Sequence, residues 1–218
     1  STPATANPTT IILGGGTTLR YIGSAATVMD RTFTLGNSSG DTATLDASGT
    51  GVGTMSFTST SPVAFSNVNS HTLNLTGSNT GANTLAPLIA DHTGLTSVSK
   101  TGAGTWVLSN ANTYTGGTTV ENGTLLLTNT SGSGVGTGTL TVKTGATLGG
   151  SGTAGGVTTI DAGATVAPGT TLSTLGTLTL DSANLAGSYQ CQLNAGTGDR
   201  LTVTNGLAIS PGASITIS

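Results

Sequence analysis

Two short strings in this sequence are spaced like catalytic motifs. Gly36-Asn37-Ser38-Ser39-Gly40 matches the G-x-S-x-G of a nucleophile elbow, and Asp46 and His71 follow in hydrolase order. Such an elbow needs a strand turning into a helix, so that the serine oxygen stands above a parallel sheet. No helical periodicity follows Gly40, and the string reads as a glycine- and serine-rich turn. Gly150-Ser151-Gly152-Thr153-Ala154-Gly155 matches a dinucleotide fingerprint in letters only. No helix N-terminus follows it to take a phosphate, so it reads as a loop.

Chemistry on a polysaccharide would need clustered carboxylates or a metal, with basic groups beside the cleaved bond. The acids are Asp30, Asp41, Asp46, Asp91, Glu121, Asp161, Asp181 and Asp199, scattered and mostly near predicted turns. Asp30-Arg31 and Asp199-Arg200 read as local turn pairs or solvated charges. His71 and His92 read as surface or turn residues, because two histidines without a cysteine or acid cluster do not make a metal site. No catalytic, cofactor-binding or metal-ligating residue is assigned. A polysaccharide-degrading enzyme stays as the rival, since stacked coils could bring distant acids together.

Three further residue types invite a bland reading. Cys191, the lone cysteine, is expected to be a buried thiol acting as a small apolar group. Trp106 is expected in the core, in the place that Leu73 and Leu178 take in other copies of its motif. Pairs such as Thr32/Thr34 and Thr202/Thr204 resemble those of ice-binding solenoids. That function needs one flat face of threonines in register. The pairs fall at irregular offsets, so threonine reads as an outward strand former.

The composition then says what could carry any such residue. Of 218 residues, 6% are charged, 3% are aromatic and 35 are glycine. Helix formers of the Glu, Lys, Arg and Gln type are scarce, while threonine and valine favour strands and glycine, asparagine and serine favour turns. A net charge of -3 with 34% apolar residues at regular intervals reads as order rather than disorder. Five basic residues spread along the chain leave no footprint for nucleic acid or anionic lipid. No apolar run approaches the roughly 20 residues of a membrane helix, and the aromatics are too few to girdle a barrel. Without a leader, Ser1 reads as a mature N-terminus or a boundary.

Self-similarity supplies the architecture. An aliphatic residue, two variable residues, Gly, a small residue, one more residue and an aliphatic recur at Val120–Leu126, Val142–Leu148, Ile160–Val166 and Ile209–Ile215. A second pattern recurs at Thr72–Asn79, Thr105–Asn112 and Thr177–Asn184. Both fit coils of about 20 residues, each holding two or three short strands that bury one another's faces. Val120, Val142 and Ile160 are expected inside, as are Leu178 with Leu180, Tyr189 with Cys191 and Leu193, and Leu201 with Val203. The glycines and asparagines read as coil corners. The fold class is therefore all-β: a right-handed parallel β-helix, or β-solenoid, as a single elongated domain over 9–218. Residues 1–8 read as an extended arm. An antiparallel sandwich is the competing fold.

At this point the residues resemble a family. TGAGTWVLSNANTYTGGTTVENGTLLL, Thr101–Leu127, is similar to the autotransporter-associated β-strand repeat, also called the passenger-associated transport repeat, with 98–127 its clearest extent. Gly14–Gly36, Leu45–Gly51 and Gly163–Leu180 are similar to sequences that accompany it. The resemblance implies a secreted, extracellular β-helix on a Gram-negative cell surface, with a structural, adhesive or secretion-assisting role. It transfers no catalytic residue to this chain.

Two roles are compatible with that resemblance. One is a spacer or adhesin segment of a larger passenger. The other is a subunit that assembles with copies of itself, end to end, into a filament. The second is favoured by the uncharged strands near both ends, carrying Ile11, Ile12 and Leu13 at one and Ile215 and Ile217 at the other. These five are the candidate self-assembly residues. The partner is then the chain itself or neighbouring passenger repeats.

Overall fold

Runs such as Leu140-Thr141-Val142 alternate apolar and hydroxyl side chains, which suits a strand with one face in the core and one in water. A computed structural model of the chain describes residues 11–36, 42–169, 174–194 and 197–217. Among these residues there is no helix. The strands form three parallel sheets and one small antiparallel pair, Leu193–Asn194 with Thr197–Gly198. Sheet I has nine strands, from Thr18–Tyr21 to Arg200–Ile209. Sheet II has nine, from Thr27–Met29 to Ser214–Ile217. Sheet III is short: Ile11–Leu13, Phe33–Leu35 and Ala64–Phe65. Apart from the antiparallel pair, strands consecutive in the chain go to different sheets, and neighbours within a sheet are one coil apart, which makes the molecule a β-solenoid.

Register lines the apolar side chains into columns. On sheet I the inward column reads Leu19, Leu45, Leu75, Lys100, Val120, Val142, Ile160, Leu185 and Ile209. Val120, Val142 and Ile160 are buried, as the alternation predicts. On sheet II, Trp106, Leu125, Leu148, Val166, Tyr189 and Ile215 stack in the same way. The corner between the sheets is a tight turn with a glycine in the left-handed region: Gly123 (φ 67), Gly145 (φ 83), Gly163 (φ 78) and Gly212 (φ 92). At Gly145 a Cβ would meet nothing within 4 Å, so backbone conformation alone selects glycine there.

Several expectations need correction. Coils are not uniform: contacts between neighbouring coils link residues 30 apart at Asn79 and Gly49 but 18 apart at Thr144 and Ala162. Loops between strands absorb the difference, so strand register survives it. The second motif does not mark equivalent places. Thr72–Asn79 and Thr177–Asn184 begin on sheet I, whereas Thr105–Asn112 begins on sheet II. Trp106 is indeed fully buried, but its column partners are Leu125 and Leu148, not Leu73 or Leu178. Leu193 is exposed, because the antiparallel pair turns it out of the stack. A turn separates Ile11–Leu13 from Thr18–Tyr21. The arm at 1–8 lies outside the described residues.

The columns make a quantitative expectation. Leu148→Ala empties a fully buried site and should cost about 2–5 kcal/mol, while Thr147→Ala beside it, facing out, should stay within about 0.5 kcal/mol. Gly145→Ala should cost about 1–2 kcal/mol through φ alone. Urea denaturation of the three variants orders them; equal losses at 147 and 148 would contradict the inward column.

Candidate functional site

The tempting catalytic residues do not converge. Ser38 lies outside the described residues. Asp46 faces outward, paired with Arg20 (Nε to Oδ2 3.0 Å) and hydrogen-bonded by the Ser48 hydroxyl (2.5 Å). His71 points into the core, and the partner of Asp46 across the ladder is Thr76, five residues further along the same strand. His71 is buried rather than a surface residue, because the strand starts on an inward position. Its ring lies 5.3 Å from that of Phe65, whose other neighbour is His92, stacked at 5.5 Å. Among the described residues, no three of His, Cys, Asp and Glu gather where a metal could bind. The Gly150–Gly155 string is not a loop: Gly150 ends the strand Thr147–Gly150, Ser151 and Gly152 make the connection, and Thr153, Ala154 and Gly155 begin the strand Thr153–Ile160, with no helix after it.

Two of the remaining acids, Asp199 and Asp91, serve as pegs for backbone. Asp199, which is buried, accepts the Gly176 N–H (2.8 Å) on one oxygen and the Gln192 N–H (3.0 Å) on the other. It is therefore a brace for the final coil rather than a partner of Arg200. Burial alone would raise the pKa of Asp91, but hydrogen bonds from the Thr115 hydroxyl and the Thr96 and Thr115 N–H groups hold it below its usual value. Lys143 and Asp161 pair at 3.2 Å, and Arg31 and Asp30 at 3.6 Å. Cys191 is half-buried, not a core thiol, because it stands in the last-but-one strand of sheet II. Ile11 is half-buried, Leu13 is buried and Ile12 is exposed, while Ile215 and Ile217 are 65% and 63% exposed on the final coil.

Outside the core, the threonines are in register after all. Thr105, Thr124, Thr147 and Thr165 stack on sheet II, followed by Ser188 and Ser214. Ser99, Thr119, Thr141 and Thr159 stack on sheet I. The irregular offsets in sequence come from unequal loops, which pairing ignores. A groove of about 800 Å³ runs over the sheet II ladder, with Leu126 and Ala167 beside the hydroxyls. Its one ionisable lining residue is Asp199, whose carboxylate is already occupied by backbone N–H groups. Such a face offers hydroxyls and methyls to a partner and supplies no acid–base pair.

Two buried polar side chains do more for the stack than any surface group. Asn112 accepts the Ile89 N–H (2.9 Å) from one coil and donates to the Gly134 carbonyl (2.7 Å) of the next. It continues the backbone ladder where strands give way to loop. Lys100 is fully buried in the aliphatic column between Leu75 and Val120. Its ammonium donates to the carbonyls of Gly102 and, at 2.9 Å, Asn122. No carboxylate pairs with it among the ion pairs of the described residues. Burial pulls its pKa down to about 8. Sequence reading passed over Lys100, although it shares strand parity with Val98 and stands 20 residues before Val120, so the signal was present.

Both residues give measurable expectations. Asn112→Ala strands two buried backbone groups, each costing about 1–3 kcal/mol, and should lower the midpoint of thermal unfolding; an unchanged midpoint would contradict the bridge. For Lys100, the unfolded side chain holds its proton up to about pH 10.5 and the folded one only to about 8. Between those values the unfolded chain binds more protons, so stability should rise with pH, by on the order of 3 kcal/mol across the full window. Above pH 10 the buried Tyr114, whose neutral form burial favours, acts in the opposite sense. Denaturant midpoints from pH 7.5 to 10 should therefore climb, and Lys100→Met should flatten the climb.

Comparison with known proteins agrees with this geometry. Residues 98–127 match the passenger-associated-transport-repeat family. Over 133 residues, 60% of this chain, the sequence is 44% identical to the adhesin BmaC autotransporter of Brucella suis biovar 1 (strain 1330). The match covers 4% of that adhesin's length. No solved structure matches the chain. The matched repeat runs from Val98, through the corner after Lys100 and one complete coil, to the strand Thr124–Leu127. The chain is thus a β-solenoid that carries a passenger-associated transport repeat at residues 98–127, in a stack similar to a segment of an autotransporter adhesin.

Proposed function

We propose that the chain is a non-catalytic structural segment of an autotransporter passenger, secreted and displayed on a Gram-negative cell surface, where it extends an adhesin. The observation that carries this reading is the parallel pairing that runs through both long sheets, with register shifts only at Ala154/Val157 and Leu180/Ser182 among the described residues, and the hydroxyl ladders on their outer faces. Similarity to part of a large adhesin supports it further. Each coil adds about 4.8 Å of length, so nine stacked strands span about 40 Å. A solenoid suits a spacer because coils interact only with neighbours, so length changes without redesign of the core.

The test has two arms. Antibody raised against the chain should label intact bacteria that carry its gene, and the purified chain should turn over no member of a polysaccharide panel. Labelling only after lysis, or turnover lost on changing Asp161 or Asp199, would replace this reading.

A second reading is end-to-end assembly into a filament. The last described coil leaves Leu207, Ile209, Ile215 and Ile217 exposed although three of them continue inward columns, a face that another coil would cover, whether of a copy or of further chain. Their strands also present an unpaired backbone edge. Electron micrographs at high concentration should then show filaments that disappear in Ile215→Lys with Ile217→Lys. A monomer by sedimentation would end this second reading.

A further inference from the structure

Lys100 stands alone in kind. Every other member of the inward column of sheet I, from Leu19 to Ile209, is Leu, Val or Ile. A lysine there buries a full side chain for no ion pair, and an apolar residue would fit the column. Placement of its ammonium is specific, however. The Gly102 carbonyl is two residues along and moves with Lys100, whereas the Asn122 carbonyl belongs to the following coil.

We propose that Lys100 sets the register between its coil and the next, by having its charge satisfied only when the Asn122 carbonyl is in place. The need for such a device follows from the strands. Val98–Lys100 pairs with Thr118–Val120, only three residues long and preceded by Gly116 and Gly117. Outward neighbours are Ser99 and Thr119, small and interchangeable. A slip by two residues keeps every side chain on its proper face, so the apolar pattern does not forbid it. It would, however, carry the Asn122 carbonyl about 6.6 Å along the strand, out of hydrogen-bond reach of the ammonium. A buried ammonium without that acceptor is costlier still, so the slipped register is penalised more than the native one. A single polar residue in an apolar seam fixes the register of coiled coils by the same physics.

The test reads register directly by disulfide formation, in a Cys191→Ser background. Ser99→Cys with Thr119→Cys reports the native pairing, in which opposed Cα atoms are close enough to bridge. Ser99→Cys with Glu121→Cys, and Thr101→Cys with Thr119→Cys, report a slip of two residues in either direction. With Lys100 present, refolding and oxidation should close only the native pair. With Lys100→Met, one slipped pair should rise about tenfold, the size expected when one charge-assisted hydrogen bond no longer separates the two registers. A cooperatively folded Lys100→Met protein that closes only the native pair would overturn the proposal. If Lys100→Met does not fold, Lys100→Gln, which keeps a donor, should fold in native register. Failure of both would assign Lys100 to stability rather than register and would equally overturn it.

Discussion

Parallel hydrogen bonding between coils is the constraint on which everything else in this molecule depends. A coil cannot satisfy its own strands, because, apart from the pair Leu193–Asn194 and Thr197–Gly198, consecutive strands lie on different sheets. Their N–H and C=O groups must find the coil before or after. Side-chain facing, corner geometry and the position of every loop follow from keeping that ladder in step. Few aromatics and almost no charge are needed, since stability accumulates as a sum over neighbouring coils rather than from one large core.

Where the ladder would fail, side chains complete it. Asn83 accepts from the Met55 N–H and donates to the Thr105 carbonyl, and Asn112 does the same between Ile89 and Gly134. A carboxamide presents N–H donors on one side and a carbonyl acceptor on the other, as a peptide group does with its single N–H, so asparagine can replace a missing rung. Trp106 follows the same economy: its ring fills the core and its indole N–H reaches the Thr76 carbonyl at 2.8 Å. Lys100 goes further, placing a charge where a methyl group would pack, against carbonyls of two successive coils.

The same economy employs several acids as braces: Asp199 and Asp91 hold backbone N–H groups, and Asp46 and Asp161 pair with basic side chains. The outer faces of the two long sheets carry hydroxyl columns spaced by the ladder itself.

Much of this was legible in the sequence. Strand alternation placed Val120, Val142 and Ile160 inside, and the recurring corner glycines located the turns, because both depend on local backbone geometry. The resemblance over 98–127 pointed to passenger repeats before any coordinates. What only the tertiary structure decided is how coils face one another. Unequal loops, spanning 18 to 30 residues between contacting positions, conceal register from any fixed-period reading. For that reason a fixed-period reading sets Trp106 in the wrong column, makes the threonine ladders irregular and puts His71 outside. Lys100 escapes it for a related reason. Its residue type signals surface, and only the pairing of Leu75 on one side and Val120 on the other makes its position interior. Local rules determine which face a side chain takes; which residue lies above it is settled by long-range pairing, which a linear repeat does not encode.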